Sequence, residues 1–231
     1  MSLNHSPAIV TDGLVLCLDA ANVRSYPKTG TTWTDLKGDN NGTLTNGPTF
    51  SSDNRGNIVF DGTNDSLRVS NDLTLANDFT ITAFAKSSSP SSAVFIAGNA
   101  LESSPVYPQN YTLYHVGGVW KANVKFTGSS WTTVVGPSVV SGEWIHLALV
   151  RSSADSNIRL YVNGGLYDTT SSSGSVVTTP QMYFRVGARA TGASSEDRYF
   201  NGNISNVSVY NRSLTADEIR QNYEATVGRY V

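Results

Sequence analysis

The chain of 231 residues is 39% hydrophobic, enough for a core, and only 15% charged, against roughly 25% in an average soluble domain. A formal net charge of −2 argues against nucleic acid as a partner, which a basic surface would have to hold. A single cysteine, Cys17, excludes a disulfide-stapled scaffold and reads as a buried thiol in an apolar run.

Apolar residues alternate at period two, and Gly, Asn, Ser and Pro punctuate them about every ten residues, which predicts an all-β fold. The opening MSLNHSPAIV has neither the basic nor the apolar region of a signal peptide, and no run reaches the ~20 apolar residues of a membrane helix. GLVLCLDA is the first strand. Residues 20 to 55, rich in Asn, Gly and Thr, predict a structured excursion with short strands, anchored by Trp33, Leu36, Leu44 and Phe50. NIVFDG and SLRVS flank a turn. In DFTITAFAK, Phe79, Ile81 and Ala83 alternate with Thr80, Thr82 and Phe84. AVFIAGN follows. YTLYHVGGVWKANV is a hairpin turning at Gly117-Gly118, because a two-residue primed turn needs positive φ. That register puts His115 opposite Trp120 and Tyr114 opposite Lys121. WTTVVG is the next strand.

In EWIHLALVR, Trp144, His146, Ala148 and Val150 point one way and Ile145, Leu147 and Leu149 the other. Both faces are largely apolar, which predicts a central strand covered on both sides. NIRLYVNGGLYDTT is a hairpin with Asn163-Gly164 at its turn. QMYFRVG and ISNVSVYN complete the strands. In the last of these Ile204 and Val207 share a face only if a bulge absorbs one residue. SLTADEIRQNYEA is the one helix, opened by a Thr215/Glu218 capping box with Leu214 stapled onto Ile219. The polar loops are too short to be linkers, so one domain is expected over 1–231.

Several of these segments together resemble the laminin-G-like branch of the concanavalin A-like lectin/glucanase superfamily, of the type found in bacteriophage virion and bacterial surface proteins. They are GLVLCLDAAN, WTDLKGDNNGTL, IVFDGTNDSLRV, the Trp-x-His strand followed by LYVNG, and FNGNISNVSVYNRSLTADEI, in family order over nearly the whole chain. The resemblance implies an antiparallel jelly-roll β-sandwich with one short C-terminal helix, and makes His146 a wall residue.

The glycosidases of that superfamily set two glutamates, with an aspartate between, on one strand face. The five glutamates here, Glu102, Glu143, Glu196, Glu218 and Glu224, form no such pattern, and no other catalytic fingerprint appears, so no enzyme is expected. The metal candidate is calcium at Asp61, Asn64 and Asp65, since oxygen-rich turns suit that ion and related jelly rolls hold it on the sandwich rim. Asp19 and Asn22 are weaker candidates. The acidic pair that relatives carry after the closing-strand Ile is here Ser205-Asn206, and the same turn residues serve hairpin geometry without metal. For a glycan, aromatic faces and polar loop residues nominate Tyr107, Trp120, Arg189, Asp197 and Arg198, although half of the rings in the tract 107–131 must face the core.

These features lead to the expectation of a non-enzymatic virion surface protein, decorating capsid or tail, with a lectin-like fold whose surface either recognises host-surface polysaccharide or serves only to dock the domain to the particle's shell, the second being slightly preferred because the chain shows no unambiguous cluster of exposed aromatics. The alternative is a secreted bacterial carbohydrate-binding or adhesin module, and after it a divergent glycoside hydrolase. Virion proteins are the expected partners, with no nucleic acid and no membrane insertion. The symmetry of virion positions leaves room for a homo-oligomer.

Overall fold

The computed structural model describes residues 7–71, 73, 75–99, 111–128, 131–177, 183–191 and 195–230. In chain order the strands begin with β1 (Leu14–Asp19), β2 (Thr32–Trp33), β3 (Gly42–Thr45), β4 (Thr49–Ser51), β5 (Asn57–Asp61) and β6 (Ser66–Val69). There follow β7 (Phe79–Ser87), β8 (Val94–Asn99), β9 (Tyr111–Val116), β10 (Val119–Lys125), β11 (Trp131–Ser138) and β12 (Trp144–Ser152). The set closes with β13 (Asn157–Val162), β14 (Gly165–Ser171), β15 (Arg185–Val186), β16 (Arg189–Ala190), β17 (Glu196–Asp197) and β18 (Asn201–Tyr210), then the helix α1 (Ala216–Val227).

Two antiparallel sheets of eight strands form the sandwich. The first runs β14-β13-β12-β7-β18-β5-β4, with β1 also on β18; the second runs β11-β10-β9-β8-β15-β6-β3-β2, and β16 and β17 form a separate hairpin. This is the all-β jelly-roll architecture that the resemblance implies, with one C-terminal helix. Strand β18 serves two partners: Asn201–Ile204 pair with β5, and Asn206–Tyr210 pair with β1. The register against β7 shifts between Ile204 and Asn206, so the expected bulge sits where one partner hands over to the other. Ile204 and Val207 consequently both enter the core.

Between the sheets, Ile58, Phe79, Ile81, Leu147, Leu149 and Val207 meet Leu67, Val69, Leu113, Val124, Val134 and Val186. Burying each such side chain is worth ~1.5–3 kcal/mol. A second apolar cluster, Leu14, Cys17, Ala148, Val150, Tyr161, Tyr210, Leu214 and Ile219, lies on the other side of the first sheet against α1. Strand β12 contributes to both clusters, which is why both of its faces are apolar. The helix is held by its capping box and by Thr80, whose hydroxyl donates to the Arg212 carbonyl and accepts from Leu214 N–H. Arg229 clamps Asp19 through two hydrogen bonds of 2.7 and 2.9 Å, tying the C-terminal region to β1. The excursion of residues 20 to 55 holds the short strands β2 to β4, with Trp33 fully buried and Leu44 nearly so.

Among the described residues no helix is long and apolar enough to cross a membrane.

Candidate functional site

Core residues alternate along the second sheet with residues that face away from the sandwich. One outward row crosses seven strands in register: Thr43, Arg68, Arg185, Gly98, Thr112, Asn123 and Thr133. Beside it runs Phe95, Tyr114, Lys121 and Val135. Phe95 stacks on Tyr114 with centroids 5.4 Å apart, and Asn123 Nδ2 donates to the Tyr114 hydroxyl.

Arg68 and Arg185 are direct cross-strand partners, and like charges so placed destabilise a sheet. Two features offset that cost. The guanidinium of Arg68 lies 3.6 Å from the Tyr183 ring centroid, with that of Arg185 at 5.9 Å from the same ring. Arg185, almost fully buried, also forms an ion pair with Glu196. Burial pulls the Arg185 pKa down, and Glu196 opposes the shift. A cavity of about 220 Å³ opens here, lined by Thr45, Asn46, Ser66, Arg68, Arg185, Glu196 and Tyr199. Ser66 is 1% exposed, and its hydroxyl has no hydrogen-bond partner in the protein.

The hairpin β16–β17 delivers Glu196 to this cavity and sets Arg189 opposite Asp197. Arg189 grips Asp197 through Nε and Nη2, and its guanidinium sits 5.5 Å from the Phe95 ring. Arg198 takes a left-handed conformation (φ 49°) from which its carbonyl accepts Phe95 N–H. The predicted loop thus lies against the outward face of the second sheet. Trp120 does not belong there. It is 2% exposed, packed in the core with its ring edge-on to His115 at 4.9 Å, so its nomination as a surface ligand contact is corrected. Tyr111 is also internal, with its hydroxyl donating to the Leu73 carbonyl. Tyr107 lies outside the described residues. Arg68 and Arg185 were missed because each reads as a lone outward charge in an apolar strand, and only the register makes them neighbours.

The turn at Asp61–Asp65 buttresses the cavity, since Asn46 Nδ2 donates to the Asn64 carbonyl. Asp61 Oδ1 accepts from Thr63 N–H at 2.8 Å, and Asp65 Oδ2 accepts from Asp61 N–H at 3.0 Å. Backbone donors hold the Asp61 carboxyl below its usual range, whereas burial raises that of Asp65. Calcium takes six to eight oxygens. Here each carboxylate already serves the turn's own amides, and the described residues assemble no group of three acidic, His or Cys side chains able to hold a metal. Asp19 is engaged with Arg229, and Asn22 accepts from Arg24 N–H.

His146 is 2% exposed, beneath Phe84 and Tyr223 at centroid distances of 4.9 and 5.7 Å. Burial drives its pKa down to about 3. It is a neutral wall residue, as expected.

A model of the Concanavalin A-like lectin/glucanases superfamily matches residues 61–220. No curated protein sequence matches the chain significantly. Among solved structures, domain 4 of AbnA, a GH43 extracellular arabinanase from Geobacillus stearothermophilus, in complex with arabinotriose, is similar with a TM-score of 0.67 and 17% identity, over 91% of this chain and 98% of that one. The ligand binding domain of botulinum neurotoxin serotype D, in complex with N-acetylneuraminic acid, gives 0.71 and 12%, over 94% of this chain and 52% of that one. The binding domain of Paraclostridial Mosquitocidal Protein 1 gives 0.68 and 15%, over 91% and 52%. The chain therefore spans nearly all of the arabinanase domain but about half of either of the other two binding domains. At these identities the likeness is one of fold.

Proposed function

Because the chain belongs to the Concanavalin A-like lectin/glucanases superfamily, we propose that it is a non-enzymatic glycan-binding module whose sugar site is the cavity on the outward face of the second sheet. The observation that carries this reading is the buried Ser66 hydroxyl without a protein partner, at a cavity whose other walls are Arg68, the Arg185–Glu196 pair and Tyr199. A buried polar group left unpaired costs free energy, and a sugar hydroxyl would satisfy it. Ser66, Arg68, Arg185 and Glu196 all stand on paired strands, so they are held in place before any ligand arrives, which lowers the ordering cost of binding. Two structural neighbours carry a sugar in their structures, in keeping with this reading.

The non-enzymatic part has its own support. Glycoside hydrolysis uses two carboxyl groups across the scissile bond. Glu196 is the one carboxylate among the described residues lining the cavity, and it is engaged by Arg185. The place of the module on a bacteriophage particle, at capsid or tail, is proposed from the sequence resemblance alone. Mass spectrometry of purified particles tests it, with a secreted bacterial module as the contrary outcome.

For binding, the test is affinity electrophoresis and array screening against bacterial polysaccharides. Wild type should give a saturable signal with no release of reducing ends. Arg68→Ala should lose it while melting within about 3 °C of wild type, as changes of under about 1 kcal/mol do, whereas Glu196→Gln, which leaves buried Arg185 without its counter-charge beside Arg68, should lose binding and stability together. A silent array, or retention of binding by Arg68→Ala, refutes the site.

A further inference from the structure

A second cavity, of about 430 Å³, lies at the start of β12, walled by Phe84, Trp144, Tyr223 and Tyr230, with Glu143 and Asn163 at its edge. The aromatic rings pack on one another. Phe84 stacks under Tyr230 at 4.3 Å and under Tyr223 at 6.0 Å, and Tyr230 meets Trp144 at 4.7 Å. No local pattern unites them: they come from β7, β12, the helix and the C-terminal residues.

Three polar groups of these walls are already engaged. Trp144 Nε1 donates to Asn54 Oδ1 at 2.9 Å. Asn206 Nδ2 donates to the Tyr230 hydroxyl. Asn163 Oδ1 accepts from His146 N–H. The cavity presents ring surface and, at its edge, the carboxylate of exposed Glu143, which makes no ion pair among the described residues. Aromatic walls beside a carboxylate ask for no hydrogen bond from their guest. They suit a cation without N–H groups, attracted by the ring quadrupoles and by the carboxylate. Lys86, the cross-strand neighbour of Trp144, already sets its ammonium 5.3 Å from the indole centroid. It is not among the cavity's lining residues.

We propose that this aromatic cage binds a quaternary ammonium group, the trimethylammonium head of a choline-type ligand. The site shares no residue with the sugar cavity, so each stands or falls alone.

The test titrates the protein with choline chloride, followed by calorimetry and tryptophan fluorescence, beside dimethylbutanol, the uncharged isostere of choline. Choline should saturate in the millimolar range or below and bind roughly tenfold tighter than the isostere, the increment expected of cation–π and charge attraction. Glu143→Gln should weaken choline several-fold with an unchanged melting temperature, and Arg68→Ala should leave it untouched. Absence of saturation, equal binding of the isostere, or full affinity in Glu143→Gln overturns the proposal.

Discussion

Replacing His146 by alanine tests whether that residue is a neutral wall, and the pH dependence makes the test sharp. The side chain is 2% exposed, contacts Phe84 and Tyr223, and its Nδ1 has no protein partner, so packing is what the truncation removes. Truncating a buried ring costs about 3 kcal/mol, which for a chain of this size lowers the melting temperature by about 6–12 °C at pH 7.5. The folded-state pKa of about 3 lies below the unfolded value of roughly 6.5. Below that value the unfolded chain binds a proton that the folded chain refuses, so the wild type loses stability as pH falls. At pH 4.5 the loss from His146 is about 3 kcal/mol, two pH units at roughly 1.4 kcal/mol each. The variant has no such group and escapes the loss. The gap between the two proteins should therefore shrink from about 3 to under about 1 kcal/mol between pH 7.5 and pH 4.5. Urea unfolding followed by circular dichroism at both pH values measures it. A gap that stays constant with pH would mean that His146 is charged or solvated in the folded state.

Thr215→Ala removes one half of the capping box and should cost about 1 kcal/mol, lowering the melting temperature by about 2–4 °C in the same circular dichroism melts. Chelation with EDTA should leave the melting temperature unchanged, because the Asp61–Asp65 carboxylates already serve the turn's own amides; a drop abolished by Asp65→Ala would restore the calcium reading. Cys17, free, buried and with its thiol pushed up to about 11 by burial, should react with a thiol reagent only in denaturant. Prompt labelling of the native protein would show that the face between β1 and α1 opens.

Much of the fold was legible because its causes are local. The two-faced apolar pattern of β12, the Gly117-Gly118 and Asn163-Gly164 turns, the Thr215 cap and the displaced phase at Ser205 each reside in a few consecutive residues. The structure places them as read. Even the pairing of His115 with Trp120 followed from the turn between them, since a two-residue turn fixes register. The turn does not say which face of the hairpin meets the other sheet. That is set by the packing of the two sheets, and it sent Trp120 inward while leaving Tyr114 half-exposed.

The candidate sites are where sequence alone fell short. The loop of Arg189 and Asp197 was picked out by its charge. Its meaning depends on the pairing of β15 with β6 and β8, which brings Arg68 beside Arg185 from far along the chain. The aromatic cage is likewise assembled from remote segments, none carrying a periodic signal. Local sequence specifies backbone geometry and the side of a strand on which a residue lies. Proximity between strands distant in sequence arises only when the sheets close over a shared core, because burial rewards the total apolar area removed from water and no particular pair of residues.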